Sequence, residues 1–119
     1  MPIEMRKSKG GIMTLTIEVR ARSGKVNELY QTLQALLPTM RKENGCRDCC
    51  VAPATALGDV YVLSCDWDRQ ASLESYMKSG SGSALLGAID LLGESTRIRM
   101  GSDTPWEGIE NLKRMRTEA

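Results

Sequence analysis

An α+β domain is predicted by the way hydrophobic periodicity switches along this chain, from a strict period of two to a helical period and back, twice over. Size supports the same class, because 119 residues, 41% of them hydrophobic, bury one core and not two. Punctuation supports it as well: Ser23-Gly24, Asn44-Gly45, Pro53 and Ser79-Gly80-Ser81-Gly82 fall between the periodic runs.

The first strand is read from Met13 to Arg22, where apolar Met13, Leu15, Ile17, Val19 and Ala21 alternate with Thr14, Thr16, Glu18, Arg20 and Arg22. After Ser23-Gly24, Val26, Leu29, Tyr30, Leu33, Leu36, Leu37 and Met40 recur at helical spacing. Pro38 should kink or end that helix, and Asn44-Gly45 offers a left-handed stop. Cys46 to Ala52 reads as a short strand and Val60 to Trp67 as a stronger one, with Tyr61, Leu63, Cys65 and Trp67 on one face, so that the two form a hairpin. Helical stretches are predicted over Gln70 to Lys78, with Leu73, Tyr76 and Met77 inward, and over Ser83 to Leu92, with Leu85, Leu86, Ile89 and Leu92 inward. Ser79 to Gly82 between them reads as a flexible turn rather than a gate. Glu94 to Met100 alternates again as a fourth strand.

Strand, helix, strand, strand, helix, strand is the split βαβ order of a ferredoxin-like βαββαβ domain, with an antiparallel four-stranded sheet covered by helices on one face. Residues 1–12 are expected as a flexible extension, 13–101 as the domain, and 102–119 as a charged tail with an amphipathic turn or two. The other sheet face lacks cover, so a homodimer is expected, with Thr14, Glu18 and Arg20 pairing across its interface or lying at its wet rim.

Sixteen basic and fifteen acidic residues nearly cancel, which argues against a nucleic-acid partner. The polar, basic start has no apolar leader core and no stretch is long enough to span a membrane, so a soluble, cytoplasmic protein is expected. In that compartment the four cysteines are expected as reduced thiols. There is no histidine, which excludes Ser-His-Asp and Cys-His chemistry within the chain, and no phenylalanine, so an aromatic ligand surface must draw on Tyr30, Tyr61, Tyr76, Trp67 and Trp106.

Cys46, Cys49, Cys50 and Cys65 raise the question of a metal site, but alternation sends Cys46 and Cys50 to one face and Cys49 to the other unless a bulge intervenes. No metal is predicted; buried inert thiols are favoured, ahead of a redox pair such as Cys50 with Cys65. Asp66 and Asp68, and the basic run Lys113, Arg114 and Arg116, read as solvated surface charge.

Several runs resemble the antibiotic-biosynthesis monooxygenase family, and its quinol monooxygenase branch in particular. Glu18-Val-Arg-Ala-Arg-Ser-Gly-Lys25 is similar to the family's strand-to-helix entry, and Leu37-Pro-Thr-Met-Arg-Lys-Glu-Asn-Gly-Cys46 to its helix end. Leu63-Ser-Cys-Asp-Trp67 followed by Ser72-Leu-Glu-Ser-Tyr76 resembles the third strand ending in tryptophan and a helix of the form Leu-x-x-His, with Tyr76 in the histidine place. The resemblance spans residues 13–101 and implies a dimeric α/β barrel. It further implies cofactor-independent oxygenation of a quinol, anthrone or other small aromatic in a pocket between sheet and helices. An electron-rich phenolate or carbanion can itself pass an electron to dioxygen, so such a protein need only bind it, remove a proton and keep the charges dry. No metal or flavin motif is required, and neither a Gly-rich loop after a strand nor a pair of Cys-x-x-Cys motifs is present.

On this reading Trp67 stacks on the substrate and Tyr76 donates a hydrogen bond to its oxygen, while Tyr61, Leu63, Cys65, Met77, Arg97 and Arg99 bind it. The alternative for Trp67 and Tyr76 is core packing. A tyrosine titrating near 10 makes a poor base at neutral pH without help from Arg97 or Arg99. The second functional class, supported by the missing histidine, is a non-catalytic ligand-binding or regulatory dimeric barrel.

Overall fold

The computed structural model describes residues 12–54, 56, 58–101 and 104–117. Strands β1 (Met13–Ala21), β2 (Cys46–Pro53), β3 (Val60–Trp67), β4 (Gly93–Met100) and β5 (Glu107–Gly108) form one antiparallel sheet in the order β2-β3-β1-β4-β5. Helices α1 (Val26–Arg41), α2 (Gln70–Lys78), α3 (Gly80–Leu92) and α4 (Glu110–Thr117) complete the fold. Except for Ile12, the predicted N-terminal extension lies outside the described residues, among which no helix is long and apolar enough to cross a membrane.

Alternation on β1 determines which sheet face is covered. Leu15, Ile17 and Val19 are at most 1% exposed and stand opposite Cys65, Leu63 and Tyr61 of β3. Ile98 of β4 lies opposite Ile17 on the other side, and Leu29, Leu33, Leu37 and Met40 of α1 close over this row together with Leu85, Leu86, Ile89 and Leu92 of α3. The opposite face carries Thr14, Thr16, Glu18 and Arg20, and three of them pair within the chain: Thr14 Oγ1 donates to Asp66 Oδ1 at 2.7 Å, Arg20 to Asp59 at 2.6 Å, and Arg97 Nε to Glu18 at 2.7 Å.

Pro38 neither ends nor breaks α1, which runs on to Arg41. The carbonyl deprived of its partner belongs to Gln34, and both residues lie on the exposed face where water can replace the bond. Gly45, at φ +91°, supplies the expected left-handed turn into β2.

Two segments differ from the expectation. Gly80, Ser81 and Gly82 are not a loose turn but the first turn of α3, capped by Ser79, whose Oγ accepts from the Gly82 amide at 3.1 Å. The charged segment after Thr104 forms its expected amphipathic turns as α4, which buries Leu112 and Met115 against the helical layer and packs on α2, but it also adds an unexpected strand, β5, beside β4. Lys113, Arg114 and Arg116 accordingly have partners, in Asp90, Asn111 and the carbonyls of Met77 and Ser79.

Candidate functional site

Strand parity and the inward face of α2 bring Trp67 and Tyr76 together. Their ring centroids are 5.3 Å apart with planes tilted by 32°, and their exposures are 0% and 1%. Cys65, two residues back along β3 on the same face, and Met77, next in α2, are equally buried. The space between sheet and helices here is thus occupied by the protein's own side chains.

This part of the core nevertheless holds polar atoms without adequate partners. Trp67 Nε1 and Ser81 Oγ are buried and make no hydrogen bond, and Tyr76 Oη reaches only the Ser81 carbonyl, at 3.4 Å. A buried polar group left unpaired costs about 1–3 kcal/mol, so such atoms call for a reason. Burial drives the Tyr76 phenol far above its ordinary value of 10.0, against a smaller opposing effect from its bond to Ser81. At any ordinary pH it is a neutral hydrogen-bond donor and no base.

The remaining predicted site residues are placed elsewhere. Tyr61 lies six residues from Trp67 on the same strand, about 20 Å away at roughly 3.3 Å per residue, and stacks on Tyr30 with centroids 4.9 Å apart. Leu63 packs against Ile17 and Val51 in the middle of the sheet. Arg97 and Arg99 occupy the sheet's other face, because their neighbour Ile98 points inward; they therefore give Tyr76 no help. Both guanidiniums stand over the Trp106 ring, at 4.1 and 4.2 Å. On that face an open groove of about 210 Å³ runs between Arg20 and Arg97, and another of about 320 Å³ borders Thr14, Thr16 and Arg99. The sequence places Trp106 only in the aromatic inventory and does not single out Ser81. The adjacent Pro105-Trp106 was the available signal for the first; the second was hidden in a segment read as linker.

The cysteines also group differently from their alternation. A bulge between Cys46 and Asp48 puts Cys46 opposite Trp67 and Cys49 opposite Cys65, all on the helix side, and leaves Cys50 opposite Ser64 on the other. The suggested pair of Cys50 with Cys65 is therefore separated by the sheet. Among the described residues no group of three or more His, Cys, Asp or Glu is arranged to hold a metal ion.

No family model and no curated protein matches this sequence. Solved structures do. A conserved protein of unknown function from Bacteroides thetaiotaomicron, named as a possible oxidoreductase, superposes with a TM-score of 0.71 at 19% identity, over 76% of this chain and 96% of its own. The protein Rv0793 from Mycobacterium tuberculosis gives 0.70 at 17%, over 79% and 96%. A protein named as an antibiotic biosynthesis monooxygenase gives 0.68 at 12%, over 78% and 99%. These likenesses establish the ferredoxin-like fold, and the fold neighbours include proteins named as monooxygenases.

Proposed function

We propose that this chain is a cofactor-independent monooxygenase-like protein that takes a quinol, anthrone or similar small aromatic between Trp67 and Tyr76. The observation that carries the reading is the unpartnered Trp67 Nε1 beside a phenol held neutral. Two such donors suit a phenolate oxygen, stabilising the anion that passes an electron to dioxygen. For an anthrone the reaction balances as a CH₂ group and O₂ giving a carbonyl and water. The substrate enters ionised, since neither Tyr76 nor a histidine can act as base here, so the rate should rise with substrate ionisation. Room for a ring requires the first turn of α3, Gly80-Ser81-Gly82, to swing away from Tyr76.

The near-zero exposure of Trp67 and Tyr76 favours a second reading, a dimer that binds a small aromatic without transforming it. In both readings the dimer pairs the open sheet faces, where Glu18, Arg20 and Arg97 offer both signs of charge to a two-fold copy.

Oxygen uptake by protein given hydroquinones and anthrones, with Trp67→Ala and Tyr76→Phe alongside, tests the first reading. Uptake above the uncatalysed rate that falls in both variants supports it. Saturable quenching of tryptophan fluorescence without uptake selects the second reading, and neither signal removes both. Light scattering should give twice the chain mass; a monomer overturns the dimer.

A further inference from the structure

The bulge in β2 creates a juxtaposition that alternation forbids. Four residues of β2, from Cys46 to Cys49, span only three of β3, from Trp67 to Cys65. In a regular strand, residues three apart are about 10 Å from each other and point to opposite faces; two strand steps, roughly 6.6 Å, separate residues that share a face. That spacing lies just within the Cα range a disulfide can bridge, about 4.4–6.8 Å. Each thiol at present makes only a long, weak bond to a carbonyl, Cys46 Sγ donating to Asp48 at 3.7 Å and Cys49 Sγ to Leu37 at 3.8 Å, so neither is firmly held away from the other. They differ in access: Cys46 is half-buried on the edge strand, whereas Cys49 and Cys65 are each 1% exposed.

We propose that Cys46-Arg-Asp-Cys49 is a redox-active dithiol that closes to an intramolecular disulfide by exchange with low-molecular-weight disulfides. The Cys46 thiolate attacks one sulfur of the incoming disulfide, whose S–S bond breaks; the leaving thiolate takes up the proton Cys46 has lost. Cys49 then gives up its proton and attacks Cys46 Sγ, releasing the second small thiol. One dithiol and one small disulfide become one protein disulfide and two small thiols, a two-electron exchange with no other reactant. Burial holds both thiols above their ordinary value of 9.0, Cys49 at about 11, and Cys46 is the one within reach of an incoming disulfide. Exchange is therefore slow at neutral pH and accelerates with alkalinity. A bond at the limit of its span is also strained, which makes it readily reduced and suits a reversible modification better than a structural staple. Cys50 takes no part, because it faces away towards Ser64.

The test is incubation of the reduced full chain with oxidised glutathione, followed by alkylation and intact-mass measurement, in a Cys50→Ser background to silence the exposed thiol. The expected product has lost two hydrogens, persists when Cys65→Ser is added, and is absent when Cys46→Ser or Cys49→Ser is added; circular dichroism checks that each variant is folded. Excess reduced glutathione should restore the dithiol. Loss of the disulfide in the folded Cys65→Ser variant, with retention in Cys46→Ser, would assign the bond to Cys49 and Cys65 and overturn the proposal. Accumulation of glutathione adducts alone, or no reaction in the folded protein, would overturn it equally.

Discussion

The Arg97 guanidinium stands 4.1 Å from the Trp106 ring while its Nε donates to Glu18, so one side chain ties the centre of the open sheet face to the segment that leads into β5. Arg99 shares the same ring at 4.2 Å. A cation over an indole contributes about 0.5–1 kcal/mol at exposed sites. Trp106→Ala should therefore lower stability by about 1–2 kcal/mol in urea and raise amide exchange at Glu107 and Gly108. An unchanged midpoint would mean that the two arginines merely rest on the ring.

Gly82 and Gly87 lie in the same helix and should respond in opposite directions to alanine. A Cβ on Gly82 would run into the Tyr76 carbonyl and come within 2.8 Å of Met77 Cα, both backbone atoms that cannot turn aside. A Cβ on Gly87 meets nothing within 4 Å. Gly82→Ala should cost about 3 kcal/mol, as overpacking does, and Gly87→Ala should add about 0.5–1 kcal/mol through helix propensity. Thermal melts of the two variants decide; equal shifts would show that α2 and α3 are not packed this closely.

The pattern of side chains predicted most of the fold because most of its elements are half-buried. The β1 alternation and the α1 stripe each have one wet and one dry face, and the structure follows both. What failed depends on backbone and on context. No side-chain pattern announces a bulge at Arg47, yet that bulge regroups the cysteines. The amphipathic turns of α4 were expected, but the charged run of Lys113, Arg114 and Arg116 gives no sign that Leu112 and Met115 pack on α2. The face occupied by Arg97 and Arg99 is legible in the sequence, because inward Ile98 between them sends both arginines to the open side. Ser81 and its unpaired hydroxyl were unreadable, because packing between α2 and α3 decides them.

Alkaline pH should destabilise the fold from about the point where free thiols ionise. Burial, and for Cys49 its neighbour Cys46, raises the Cys49 thiol from 9.0 to about 11; burial raises Cys65 well above 9.0 and Tyr76 above 10.0. Above pH 9 the unfolded chain sheds protons that the folded chain keeps, so unfolding releases protons and stability falls as pH rises. The contribution is complete below pH 9 and is lost towards the folded values. The slope approaches about 1.4 kcal/mol per pH unit for each thiol that ionises only on unfolding. Urea midpoints measured under reducing conditions from pH 7.5 to 10.5 should hold level and then drop, with a shallower drop in Cys49→Ala. A level profile to pH 10.5 would contradict the burial of these thiols.

Arg116 holds the joint between α2 and α3, which the proposed opening of the site would have to move. From α4 it donates to the carbonyls of Met77 and Ser79, at 2.5 and 3.0 Å, at the junction of α2 and α3. The same junction carries the Ser79 cap and the Tyr76 contact with Ser81. Hydrogen bonds to a charged group contribute about 1.5–3 kcal/mol each, and water can replace part of that at a half-buried site, so Arg116→Ala should cost about 1.5–3 kcal/mol in all. The loss should be local first: amide exchange at Ser81, Gly82 and Ser83 rises more than in β1 or β3, since the freed carbonyls no longer pin α4 to the turn. Arg116→Lys keeps the charge but offers no planar fork, and should recover about half of the protection. If exchange rises uniformly across the sheet and helices instead, Arg116 supports the whole fold and does not control this joint.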